Sequence, residues 1–298
     1  MDYETVRETA KRWSVSERSV RNYANNGRID GAILNGKTWQ IPVSAKKPPR
    51  VKTNKHNSRN LLAVLQDEKS AKIKGGIFHK LQIEMTYNSN HIEGSTLTKE
   101  QTRYIFETNT IGVESDSINV DDIVETANHF TAINYIIENA TQKLSPKHIK
   151  EVHRLLKNGT SDSRKEWFQV GDYKLLPNEV GGKETTAPED VAAQMKKLLT
   201  VYNLKDAHTF EEIIAFHYQF ETIHPFQDGN GRVGRLIMFK ELLKNDLPPF
   251  IITDELKWFY YRGLAQWTDQ PGYLLETART AQDKFKQKLA YFRIEYQD

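Results

Sequence analysis

The chain has 298 residues, of which 38% are hydrophobic and 27% charged, with a net charge of +3. That length allows two or three domains with a sizeable core, and the composition excludes wholesale disorder. With no cysteine and no apolar run of about 18 residues, disulfides, cysteine-based catalysis and a membrane span are excluded, and a cytoplasmic protein without a membrane partner is expected. The opening MDYETVRETAKRW is mixed in charge and lacks the apolar segment of a secretory signal.

The charge is uneven. Residues 1–55 hold twelve Lys/Arg against five Asp/Glu, a local +7, which leaves −4 for the remainder. A basic head on a mildly acidic body points to a separate anion-binding module. Within that head, Thr5 to Trp13 reads as a helix with Val6, Ala10 and Trp13 on one face. Ser16 is placed to cap a second helix that Gly27 ends. AILNGKTWQIP then alternates around Asn35-Gly36, the signal of a two-residue hairpin. Helix, turn, helix, hairpin resembles the small winged helix-turn-helix heads of the excisionase and MerR type. The resemblance implies that the second helix reads duplex DNA in the major groove, with Arg18, Arg21 and Asn22 facing outward. The alternative for such a head is protein contact or homodimerisation.

Residues 46–60 lie in a basic, Pro-containing stretch without apolar periodicity and read as a linker between a head at 1–45 and a body at 61–298. The body is predicted to be mainly α. Apolar residues recur at helical spacing over 61–69, 75–94, 98–109, 120–140 and 145–159, the last opened by Ser145-Pro146 and closed by Asn158-Gly159. Residues 170–191 break this pattern around Pro177-Asn178 and Gly181-Gly182 and read as a β-hairpin. Further helices follow over 191–203, 210–223, 233–246, 256–267 and 272–296. His129, His153 and His217 fall within apolar helices and read as packed or capping residues, since no pair has convincing metal spacing. Trp258, Tyr260, Tyr261 and Trp267 read for the most part as core.

Between the helices ending at Ile223 and starting at Val233 lies HPFQDGNGR. Gly229 and Gly231 permit backbone conformations that side chains forbid and let a ligand approach closely. Backbone N–H groups in such a turn, followed by a helix N-terminus, bind anions. Arg232 and Arg235 are three apart and can share a helix face toward the same phosphate. Asp228 would be misplaced among these charges unless a hard divalent ion bridged it to phosphate oxygens. His224, at the helix end, is placed to take a proton from an incoming hydroxyl. Together these imply transfer of a phosphorus-containing group. The segment contains neither a Walker P-loop nor a strand-preceded dinucleotide fingerprint.

His224-Pro225-Phe226-Gln227-Asp228-Gly229-Asn230-Gly231-Arg232-Val233-Gly234-Arg235 resembles the full signature of the Fic family, H-x-F-x-[D/E]-G-N-G-R-x-x-R. The resemblance covers roughly 61–298 and implies a helical core with a β-hairpin flap that clamps a target chain. It further implies an adenylyltransferase that moves AMP from ATP to a Ser, Thr or Tyr hydroxyl of a target protein. In that reading His224 is the general base, Phe226 anchors the loop and Asp228 holds Mg²⁺. Gly229, Asn230 and Gly231 cradle the phosphates, Arg232 contacts them, and Arg235 holds the γ-phosphate. The glycines at 229 and 231 replace the Ala and Lys of the kinase-like Doc toxins, which favours nucleotide transfer over phosphate transfer. Tyr261 would lie near the adenine, and Asp172, Tyr173, Lys174 and Leu175, with Val180 to Gly182, near the target.

SNHIEG, 89–94, is similar to the family's inhibitory pattern [S/T]-x-x-x-E-[G/N]. The resemblance implies an inhibitory helix around 83–94 in which Ser89 and Glu93 share a face and Glu93 pairs with Arg235. Glu93 could instead orient water for AMP removal. Transfer of another nucleotide or of phosphocholine, and a DNA-binding transcriptional regulator whose body senses nucleotide, are the competing functions.

Overall fold

The computed structural model describes residues 2–25, 27–36, 38–48, 60–112 and 117–296, without the side chains of Arg18 and Asn22. The chain divides into two compact units, Met1–Asn57 and Ser58–Asp298. The predicted linker, 46–60, falls mostly outside the described residues.

In the first unit, β1 (Tyr3–Thr5) leads into α1 (Val6–Trp13) and α2 (Glu17–Asn25), followed by β2 (Ile33–Asn35) and β3 (Thr38–Pro42). Thr5 caps α1 in a box with Glu8, satisfying backbone N–H groups that the first turn leaves without helical acceptors. Ser14 in the left-handed region ends that helix, and the Ser16 hydroxyl accepts from the Ser19 N–H at 3.2 Å where α2 starts. Val6, Ala10, Trp13, Val20, Ala24, Ile29 and Ile41 close a small core. The strand order is β1-β3-β2, all antiparallel. β1 has no sequence signal of its own. It is three residues long and held by pairing Tyr3 with Pro42, nearly forty positions away.

In the second unit the described helices are α3 (Leu61–Ser70), α4 (Ile77–Ile92), α5 (Lys99–Thr108), α6 (Val120–Glu138), α7 (Pro146–Lys157), α8 (Pro188–Tyr202), α9 (Phe210–Ile223), α10 (Asn230–Lys244), α11 (Lys257–Ala265) and α12 (Gly272–Tyr291). The N-caps Thr98, Ser145 and Thr209 each accept a backbone N–H of the first turn. α10 is buried on nearly every side and packs against α9, α7 and α6, so it forms the axis of the body. Leu65, Leu81, Ile133, Leu156, Phe220, Phe226, Leu236 and Phe239 belong to the main core around it. Met238 and Leu242 join a second cluster with Ile213, Tyr260 and Leu274.

The hairpin is smaller than the sequence suggests. Only β4 (Glu179–Val180) and β5 (Lys183–Glu184) pair, around Gly181 and Gly182, both at positive φ as a tight two-residue turn requires. Asp172, Tyr173, Lys174 and Leu175 lie outside any strand. The aromatic group on α11 also splits: Tyr260 is buried, whereas Trp258 is 75% exposed and does not belong to the core.

Candidate active site

The loop from His224 to Gly229 joins α9 to α10, and its geometry follows from two left-handed residues. His224, at φ 52°, is the C-cap of α9 and donates its N–H to the Phe220 carbonyl at 3.0 Å. Gly229, at φ 79°, turns the chain into α10, where a side chain would be strained. α10 starts at Asn230, three residues before the predicted Val233. Asn230, Gly231 and Arg232 therefore form its first turn, whose N–H groups have no intrahelical acceptor and carry the positive end of the helix dipole.

The Asn230 side chain braces the loop. Its Oδ1 accepts the Phe226 N–H and its Nδ2 donates to the Phe226 carbonyl, each at 2.8 Å. The Asn230 side chain is thus taken up within the loop, and its backbone N–H is what remains at the open end of α10. Phe226 is fully buried and stacks on His153 with centroids 4.0 Å apart and planes within 4°. His153 Nδ1 in turn accepts the Gly171 N–H at 2.9 Å.

Residues 174–178 are stitched along the same loop. The Lys174 N–H donates to the Pro225 carbonyl at 2.9 Å, and Asn178 Nδ2 donates to the Phe226 carbonyl at 3.0 Å. Lys174 is buried, with Nζ donating to Asn178 Oδ1 and Thr185 Oγ1 at 2.6 Å. Burial draws its pKa down to about 8. Tyr173 packs 5.9 Å from the Phe226 ring, and Asp172 pairs with Lys150 at 2.5 Å. Of the four predicted docking residues only Leu175 is an exposed apolar side chain; Tyr173 and Lys174 support the loop.

His224 Nδ1 is buried without a hydrogen-bond partner. Burial, then the Lys174 charge, lowers its pKa to about 4, so the ring is neutral at physiological pH. Asp228 is the acid of the loop. Burial opposes its ionisation, but the Arg232 and Lys157 charges prevail and hold its carboxyl low, at about 2.

Sequence reasoning missed two members of this charge group, Lys157 at the end of α7 and Glu125 on α6. Lys157 Nζ lies 2.6 Å from Asp228 Oδ2 and 2.5 Å from Glu125 Oε1. Arg232 pairs through Nη1 with Glu125 Oε2 and through Nη2 with Asp228 Oδ2 at 3.3 Å. A lysine in the last turn of an amphipathic helix ordinarily reads as a solvated residue answering the helix dipole.

Arg235, only 5% exposed, donates from Nε to Ser89 Oγ at 3.1 Å. Its Nη2 donates to the Ser89 carbonyl at 3.0 Å and to Glu93 Oε1 at 2.7 Å. Glu93 is the C-cap of α4, so the helix end delivers its carboxylate to the arginine. A Cβ at Gly231 would collide with that carboxylate, which places Glu93 directly over the first turn of α10. The half-exposed Tyr261 donates from its hydroxyl to the Ile92 carbonyl at 3.1 Å, fixing α11 beside the same helix end. Beneath Arg235 lies Glu221, a further residue that periodicity cannot single out. Burial raises its pKa to about 8, against the Arg235 charge. Gly234 is required there, because a Cβ would collide with the Glu221 carboxyl.

Residues 143–242 match the Fic/DOC family model. The matched segment contains His224 and both arginines, whereas Glu93, Glu125 and Tyr261 reach it from outside. The chain is 31% identical over 185 residues to the protein adenylyltransferase Fic of Aedes aegypti, across 60% of this chain and 36% of the relative. The protein of the same name from Drosophila melanogaster is 32% identical over 183 residues, across 60% of this chain and 36% of its own. The chain thus spans about a third of the length of these curated relatives. Among solved structures, a Fic domain containing signaling protein from Bacteroides thetaiotaomicron superposes with a TM-score of 0.61 at 27% identity. That superposition covers 77% of this chain and 94% of the other. Among the described residues, no helix is long and apolar enough to cross a membrane, and no group of three His, Asp or Glu side chains is placed to hold a metal.

Proposed function

We propose that this protein is a protein adenylyltransferase of the cytoplasm, moving AMP from ATP to a Ser, Thr or Tyr hydroxyl of a target protein, and that Glu93 restrains it. The observation that carries this reading is a neutral His224, its Nδ1 without a hydrogen-bond partner among the described residues, in the loop that leads to an α10 N-terminus bearing Arg232 and Arg235. His224 takes the proton of the target hydroxyl. The hydroxyl oxygen attacks the α-phosphorus, its bond to the bridging oxygen breaks, and pyrophosphate leaves. The α10 N–H groups and Arg232 stabilise the charge that builds on the phosphates. Asp228 suits Mg²⁺, since its carboxylate is ionised and its side chain is 48% exposed. Asp228 would hold the metal, whose positive charge would offset the charge of the phosphates. With Glu93 on Arg235, the γ-phosphate lacks its cationic partner and meets a carboxylate instead. The names of the curated relatives support the same activity.

Labelled ATP, GTP, CTP and UTP supplied with Mg²⁺ and host lysate test the reading. Transfer of adenylate to protein by Glu93→Gly, and not by a His224→Ala derivative of it, is expected. No transfer from any nucleotide would overturn it, and transfer confined to another base would shift the substrate.

A second reading concerns the head. The +7 excess over residues 1–55, together with two helices and a hairpin in that order, supports binding of duplex DNA. Arg21 is exposed on α2 and pairs with Glu17 at 2.8 Å; the side chains of Arg18 and Asn22 lie outside the described residues.

A further inference from the structure

Lys157, Glu125, Asp228 and Arg232 close a ring of alternating charge. The ammonium of Lys157 touches Glu125 Oε1 at 2.5 Å and Asp228 Oδ2 at 2.6 Å, with Asp162 Oδ2 further off at 3.5 Å. Arg232 ties the same two carboxylates from the other side. The four side chains come from α6, α7, the signature loop and α10, and their charges sum to zero.

The exposures are unequal. Lys157 is 2% exposed and the Asp228 side chain 48%. The ammonium approaches Asp228 from the protein side, beside the Phe168 ring at 5.4 Å, and leaves the other side of the carboxylate toward solvent. Burying a lysine is costly unless its charge is matched, and here two carboxylates match it at hydrogen-bond distance.

We propose that Lys157 is a built-in counterion that occupies the place of a cation between Glu125 and Asp228 and makes divalent-metal binding conditional on nucleotide. This rests on the reading of the site as one for a metal-bound nucleotide. A bare divalent ion that approaches Asp228 meets a carboxylate already neutralised by an ammonium and a guanidinium. It gains little attraction and is repelled by both. A metal bound to a triphosphate arrives already held by phosphate oxygens, which the α10 N–H groups can receive, so its binding does not depend on an unpaired carboxylate. Without the ammonium, Glu125 and Asp228 would offer two hard oxygen ligands around one vacated position, the type of donor that divalent cations prefer.

The test is a titration of Mn²⁺ followed by electron paramagnetic resonance, on the full chain without nucleotide and with a non-hydrolysable ATP analogue. Without nucleotide, the wild type should bind Mn²⁺ only weakly, Lys157→Met at least tenfold more tightly, and Lys157→Arg like the wild type. Should Lys157→Met fail to fold by circular dichroism, Lys157→Gln decides the same comparison. If Lys157 merely braces the loop, its neutral variants will melt lower with nucleotide-free Mn²⁺ affinity unchanged, and that result overturns the proposal. Tight nucleotide-free binding by the wild type overturns it as well. Failure of the analogue to enhance Mn²⁺ binding in the wild type would instead count against the nucleotide site, while the nucleotide-free comparison of variants still decides the role of Lys157.

Discussion

Glu93 and Arg235 stand 142 positions apart in the chain and 2.7 Å apart in the fold. The pair is not incidental to the surface. Arg235 is nearly buried, its Nε and Nη2 also donate to Ser89 on the same helix, and Gly231 leaves the space that the carboxylate fills.

Glu93→Gly should therefore free the arginine for a phosphate. Auto-modification with ATP and Mg²⁺, read by intact mass, is expected to rise on the order of 10- to 100-fold, the usual range for coupling between two states. Loss of one partner of a part-buried ion pair should lower stability by about 1–3 kcal/mol. Equal modification rates in the variant and the wild type would remove Glu93 from the regulation of this site.

His224→Ala should act on rate and not on binding. A positioned general base contributes about 10²–10⁴-fold, so transfer in the Glu93→Gly background should fall by that factor. Affinity for a non-hydrolysable ATP analogue should stay within about twofold, since only a transition-state interaction is removed. Because the His224 pKa is lowered to about 4, the rate should be flat across neutral pH and fall only as the pH drops toward that value. A rate that titrates near 6.5 would indicate a different base.

Acid should destabilise the folded chain well before carboxylates titrate. Burial lowers the pKa of His129, His153 and His217 to about 3, and that of His224 to about 4. Each of these four takes up a proton on unfolding below its ordinary value near 6.5. Glu221 works in the opposite sense. Its pKa is raised to about 8, so on unfolding it releases a proton between about 4.5 and 8. Net uptake on unfolding is then about three protons near pH 5, so stability should rise steeply with pH from about 4.5 to 6.5. Urea denaturation midpoints across that range measure it, and a flat profile would contradict the burial of these rings.

Binding of the full chain to duplex DNA should weaken steeply with salt, as counterion release requires. Arg21→Ala should lower the slope of log affinity against log salt by about 1 if that side chain contacts a phosphate. Fluorescence anisotropy at several salt concentrations provides the measurement. Salt-independent or absent binding would recast the head as a protein-contact element.

The helices were legible because amphipathic spacing and caps are local, as Thr209 before α9 and Ser145-Pro146 before α7 show. The signature string was legible because twelve consecutive residues carry it. Tertiary packing changed the details. α10 starts at Asn230, because the Asn230 side chain closes the loop on Phe226 and lets the helix begin inside the glycine run. The strands of the hairpin shrink to two residues each, because Lys174 and Asn178 bond to the signature loop in place of a partner strand.

By itself the sequence determined a mainly helical body, a basic head, and a loop whose histidine, carboxylate, glycines and arginines suit a nucleotide. These follow from short-range periodicity, composition and residue chemistry. Only the tertiary structure decided that Lys157 and Glu125 join Asp228 and Arg232, and that Glu221 lies buried beneath Arg235. The sequence separation between Arg232 and Glu125 is 107 positions, and between Lys157 and Asp228 it is 71. Charge pairs at such range leave no periodic trace. They form because a buried ionised group must meet its counterion, and which counterion it meets is settled by how α6, α7 and α10 pack.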